Sequence, residues 1–103
     1  MTNLFVYGTL MTGQSNHYLL EGYEPVKGLI NGYRRVWPPS KAFPIIIKDE
    51  SSSVEGELYL NISSESLERI DKLEGIPYLF IKLNETVTII ESNREIKAVV
   101  YYP

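Results

Sequence analysis

The sequence predicts an α+β protein: a mixed, mainly antiparallel sheet curled into a small β-barrel of about five to seven strands, with two flanking helices. Three observations carry this reading. Leu4-Phe5-Val6-Tyr7 is a near-terminal apolar run that stops at Gly8, which suits a strand covered on both faces. Between Tyr23 and Trp37 the apolar residues Val26, Leu29, Ile30, Tyr33 and Val36 are interrupted by Gly28 and Gly32. That is the pattern of bent or bulged strands, whose curvature helps a sheet to close. Ser64 to Glu74, by contrast, has the apolar spacing, the cap and the stop signal of a well-formed helix.

The elements follow in order. After the opening strand, Ser15 is placed to cap a short helix whose apolar residues are Tyr18, Leu19 and Leu20. Trp37-Pro38-Pro39 ends the glycine-interrupted run, because proline cannot donate to a strand ladder. Phe43-Pro44-Ile45-Ile46-Ile47 starts a new short strand, and Asp49 to Ser53 reads as a polar turn. From Val54 to Ile62 the residues alternate. Val54, Leu58, Leu60 and Ile62 fall on one face, and Glu55, Glu57, Tyr59 and Asn61 on the other. In the helix that follows, Ser63 is the N-cap, Glu65 lies in the first turn, and Ile62 is placed to staple against Leu67. Gly75 and Pro77 end it. Tyr78 to Ile90 returns to strand character, and Glu91-Ser92-Asn93-Arg94 turns into a last strand, Glu95 to Tyr102.

Composition narrows the function classes. A chain of 103 residues with no linker or repeat is read as one domain, 1–103. A net charge of -3 and a pI near 5.1 argue against a nucleic-acid partner, since neutralising phosphates needs a surplus of cations. Arg34-Arg35, beside Tyr33 and Trp37, is read as an exposed strand face. The absence of cysteine excludes disulfides, thiolate chemistry and cysteine zinc sites. His17 is the only histidine, which makes a poor metal site, so no metal and no cofactor are expected. No secretory leader and no window of eighteen apolar residues is apparent. The expectation is a cytoplasmic monomer with no membrane partner.

One acid falls on the wrong face of the helix. Successive residues turn by about 100°. With Leu67 at zero, Ile70 lies at about 300°, Leu73 at about 240° and Glu74 at about 340°. Glu74 thus shares the apolar stripe, while Glu65, Glu68, Arg69 and Lys72 lie opposite and Asp71 sits at the edge. A carboxylate turned to the core has its pKa raised by desolvation, and the carbonyl end of a helix pushes the same way. Such a group is a candidate proton acceptor near neutral pH. The bland alternative is a helix that unwinds at Leu73 and leaves Glu74 in solvent.

Phe5-Val6-Tyr7-Gly8-Thr9-Leu10, Gly13-Gln14, Asn16-His17, Val54-Glu55-Gly56-Glu57-Leu58-Tyr59 and Leu67…Ile70-Asp71-Lys72-Leu73-Glu74-Gly75 occur in this order. Together they resemble the gamma-glutamylcyclotransferase-like superfamily, closest to gamma-glutamylamine cyclotransferase and its AIG2-like relatives. The resemblance covers nearly the whole chain. It implies an enzyme that cyclises a small gamma-glutamyl substrate, releasing 5-oxoproline and a free amine without a metal. It also implies Glu74 as the general acid/base and Tyr7, Gly8, Thr9 and Leu10 as the substrate-binding loop. Many relatives carry a tyrosine followed two residues later by arginine where this chain has Phe80-Ile81-Lys82. A hydroxyl is therefore missing there, and Tyr78 is the nearby substitute. A C-terminal lid of longer relatives is also missing from a chain that stops at Pro103. A non-catalytic pocket protein binding a small acidic metabolite, and a structural module with no pocket between Gly8 and Glu74, are the competing readings.

Overall fold

The computed structural model describes residues 1–103. Five strands, β1 (Thr2–Val6), β2 (Val26–Val36), β3 (Ile45–Ile62), β4 (Ile81–Ile89) and β5 (Glu95–Tyr102), close into a barrel in the order β1-β3-β2-β4-β5. All neighbours run antiparallel except β1 and β5, which are parallel. The predicted fold class is borne out. Of the two expected helices, one is α1 (Ser64–Glu74) and the other is a single 3-10 turn, His17–Leu20. Asn16 rather than Ser15 precedes that turn, and no side chain caps it. No helix is long and apolar enough to cross a membrane.

β1 is covered on both faces because alternate residues enter different cores. Phe5 points into the barrel with Ile30, Ile46, Leu58, Val87 and Val100. Leu4 and Val6 point outward, into a second cluster with Leu20, Tyr59, Ile62 and Ile70 that holds α1 and the 3-10 turn against the barrel. Phe5 needs two glycines. Gly28 and Gly56 are partners across β2 and β3, and a Cβ on Gly56 would lie 2.7 Å from Phe5 Cζ, one on Gly28 3.3 Å from Phe5 Cε1. The glycines read as bend points thus also make room for a ring.

Three local expectations are corrected. Asp49 to Ser53 is not a turn between strands but part of the continuous β3. Asn31 pairs with Ser53 and Tyr33 with Lys48, so the added length bulges out opposite Gly32, whose φ is +86°. The Asp49 carboxylate gathers the bulge by accepting hydrogen bonds from Ser51 N, Ser51 Oγ and Ser52 Oγ. Leu60 does not share a face with Val54 and Leu58; it is exposed while Tyr59 is buried. Thr2 pairs with Ile62 but Leu4 with Tyr59, and this second bulge, with Asn61 at φ 56°, shifts the phase of the alternation. Lastly, Tyr78 lies in the turn after α1, and β4 begins only at Ile81.

α1 forms as its caps dictate. Ser63 Oγ accepts from Ser66 N, and Gly75 takes the left-handed conformation at φ 67°. Ile70 is fully buried, and Leu67 packs beside it against the outer core. This fixes the rotation of the helix and carries Glu74, one turn beyond Ile70, to the barrel side.

Candidate active site

Where β1 ends, the chain turns through Tyr7-Gly8-Thr9-Leu10. The carbonyls of this loop are occupied: Gly8 O accepts from Met11 N at 3.0 Å and Thr9 O from Asn16 N at 2.9 Å. His17 Nδ1 donates to Leu10 O at 3.1 Å, which uses the only histidine structurally. The N–H groups of Gly8, Thr9 and Leu10 have no acceptor in the protein. A loop with its acceptors spent and its donors free favours an anion.

Facing the loop is the end of α1. Between them lies a cavity of about 310 Å³ lined by Tyr7, Gly8, Thr9, Leu10, Glu74 and Tyr101, with Phe43, Pro44, Leu73, Leu79 and Phe80 supplying apolar walls. No hydrogen bond or ion pair holds the Glu74 carboxylate. Its pKa is pushed up to about 7, first by burial and second by the negative charge of Asp71. Asp71 accepts from Tyr101 Oη at 2.6 Å and pairs with Lys82 Nζ at 2.8 Å. Burial and the nearby carboxylates also raise the Tyr7 and Tyr101 phenols, so both stay protonated.

The residues singled out in the sequence divide cleanly. Tyr7, Gly8, Thr9, Leu10 and Glu74 meet at one cavity. Tyr78 does not join them; it is 92% exposed and lies outside the lining. Phe80, at the position of the missing hydroxyl, is buried and faces the cavity. No group of three or more His, Asp or Glu side chains could hold a metal ion. Arg34 is exposed as expected and pairs with Asp49 at 3.2 Å, but Arg35 turns inward to carbonyls of β3 and the loop. Sequence reasoning missed Tyr101. Its one signal was the apolar pair Val99-Val100 before it, whose alternation did not say which tyrosine faces α1 and which the barrel. A second cavity of about 560 Å³ adjoins the first through Tyr7, Gly8 and Thr9.

The closed barrel thus sets the free amide donors at the end of its first strand opposite the Glu74 carboxylate across one cavity. The family described as "Gamma-glutamyl cyclotransferase, AIG2-like" matches residues 4–103, and the chain belongs to it. It is 30% identical to AIG2-like protein A of Arabidopsis thaliana over 97% of this chain and 59% of that protein. It is 35% identical to gamma-L-glutamyl-butirosin B gamma-glutamyl cyclotransferase of Niallia circulans over 72% of this chain and 46% of that one. The crystal structure of an AIG2-like protein from Mus musculus superposes with a TM-score of 0.85 at 23% identity, over 100% of this chain and 77% of that chain. The chain spans about half the length of the curated relatives it matches.

Proposed function

We propose that the protein is a gamma-glutamyl cyclotransferase in which Glu74 is the general acid/base and Tyr7, Gly8, Thr9 and Leu10 form the substrate-binding loop. The observation that carries this reading is Glu74 itself: an unpaired, desolvated carboxylate with a pKa near 7, in one cavity with the free donors of Gly8, Thr9 and Leu10. The substrate's α-ammonium loses a proton to Glu74, and the amine attacks its own γ-carbonyl carbon. A C–N bond forms and closes the five-membered ring. Charge developing on the carbonyl oxygen is met by the loop N–H groups. As the intermediate collapses, Glu74 gives its proton to the departing nitrogen and the original amide C–N bond breaks; the second proton on the ring nitrogen then passes through the restored carboxylate to the released amine, which leaves as an ammonium. The products are 5-oxoproline and a free amine, and water is not consumed. Because nucleophile and electrophile belong to one molecule, the protein's task is to fold the substrate and carry two protons from the attacking to the departing nitrogen.

The test supplies a panel of gamma-glutamyl amines and measures 5-oxoproline. Wild type is expected to release it, and Glu74→Gln to lower kcat by about three orders of magnitude. Absence of product across the panel, or full activity in Glu74→Gln, overturns the reading.

A further inference from the structure

Arg35 is the one charged side chain that grips the donor loop. Its Nε donates to the Tyr7 carbonyl at 3.1 Å and its Nη2 to the Glu55 carbonyl at 2.6 Å, so the guanidinium fork bridges the exit of β1 and the middle of β3. In a planar trans peptide the C=O and the following N–H point in opposite directions. Holding the Tyr7 oxygen toward Arg35 therefore turns the Gly8 N–H away from it, and that N–H has no acceptor in the protein. Pro44 packs against the loop at this point: a Cβ at Gly8 would stand 3.3 Å from Pro44 Cγ.

Arg35 also forms no ion pair, although Glu55 and Glu57 line the same cavity. The ion pairs of the protein are Arg34 with Asp49 and Lys82 with Asp71. Arg35 is half-buried, faces the larger cavity that shares Tyr7, Gly8 and Thr9 with the first, and has no carboxylate within ion-pair distance. A guanidinium used only to join strands would be expected to sit beside an available acid, because an unpaired charge withdrawn from water is costly. Here it lies behind the loop whose free donors face the other way.

We propose that Arg35 is a positioning residue for an anion site at the loop: it locks the Tyr7–Gly8 peptide so that the Gly8 N–H faces the ligand, and its unpaired charge strengthens that site for a carboxylate or an oxyanion. This rests on reading Gly8 to Leu10 as the donor side of the substrate pocket. The experiment titrates 15N-labelled protein with 5-oxoproline and with glutarate, following the Gly8 to Leu10 amide signals, and measures kcat and KM in parallel. In Arg35→Ala the 5-oxoproline affinity and kcat are each expected to fall about tenfold or more, with partial recovery by millimolar guanidinium. Arg35→Lys, which keeps the charge but not the fork, falls between.

A folded Arg35→Ala with unchanged Gly8 amide shifts, affinity and kcat overturns the proposal and leaves Arg35 a strand clamp. Should Arg35→Ala not fold, Arg35→Lys and Arg35→Gln decide the matter, since each keeps a donor for the Tyr7 carbonyl; wild-type affinity in both overturns it. If no gamma-glutamyl amine is cyclised but the loop amides still respond to carboxylates in an Arg35-dependent way, the cyclotransferase reading fails and this one stands. If wild type binds neither carboxylate, this one falls.

Discussion

The Tyr101 hydroxyl donates to the Asp71 carboxylate at 2.6 Å, one helical turn before Glu74. The Tyr101 carbonyl meanwhile accepts from the Tyr7 hydroxyl at 2.7 Å, so β5 ties the donor loop to the acid-bearing helix. Lys82 on β4 completes the arrangement by pairing with the other Asp71 oxygen. Asp71 is held from two strands, and its charge in turn raises the pKa of Glu74. Asp71→Asn keeps an oxygen for the Tyr101 hydroxyl but removes that charge and leaves the Lys82 ammonium unpaired. Both changes favour ionised Glu74. Burial, the larger cause of the raised Glu74 pKa, remains, so the value is expected to fall part of the way from about 7, with the rate at pH 6 rising about two- to fivefold. A 13C titration of the Glu74 carboxyl reads the shift directly.

The pH dependence of cyclisation has a defined sign. In the proposed mechanism Glu74 acts in its base form, which predominates only above about pH 7. The acid limb of kcat/KM should therefore bend near pH 7 and lose about tenfold per unit below it. An ordinary solvated carboxylate would place that bend nearer pH 4. A profile flat from pH 5 to 8 would show that Glu74 does not titrate in the reaction.

The barrel and its site were legible to different degrees, for physical reasons. The apolar run ending at Gly8, the caps Ser63 and Gly75, and the inward angle of Glu74 all express local rules, and each appears in the structure where it was expected. Leu60 and the Asp49–Ser53 stretch were misread because both depend on bulges. A bulge is set by the partner strand, which periodicity along one strand does not report. Tyr78 failed for a similar reason: the turn after α1 sends its side chain into solvent, and nothing in Pro77-Tyr78-Leu79 fixes that direction before the fold is known. Tyr101 comes beside the loop through the pairing of β5 with β1, at the far end of the chain, and Arg35 reaches back to the Tyr7 carbonyl across β3.

Ser63 supports the helix that delivers Glu74. Its Oγ accepts from Ser66 N at 3.2 Å and from the Tyr23 hydroxyl at 3.2 Å, so one atom both caps α1 and ties it to the segment before β2. Ser63→Ala is expected to cost about 1 to 2 kcal/mol in denaturant unfolding, the upper end reflecting the second bond. Ser63→Asp, which restores an acceptor, should recover most of it.

Glu74→Gln offers a test of the half-buried carboxyl that is independent of any substrate. Below about pH 4.5 the carboxyl is protonated in the folded and the unfolded chain alike, so the two proteins should be equally stable. Between 4.5 and about 7 the unfolded chain releases its proton first, and wild type loses stability as the pH rises. Above about 7 the folded state bears the full cost of an ionised, desolvated carboxylate, whereas glutamine bears none. At about 1.4 kcal/mol per unit, Glu74→Gln should be more stable than wild type by about 3 kcal/mol at pH 8 and unchanged at pH 4. Denaturant unfolding at the two pH values measures the difference. Equal stability at pH 8 would mean that Glu74 reaches solvent, and a solvated Glu74 would have no raised proton affinity to bring to catalysis.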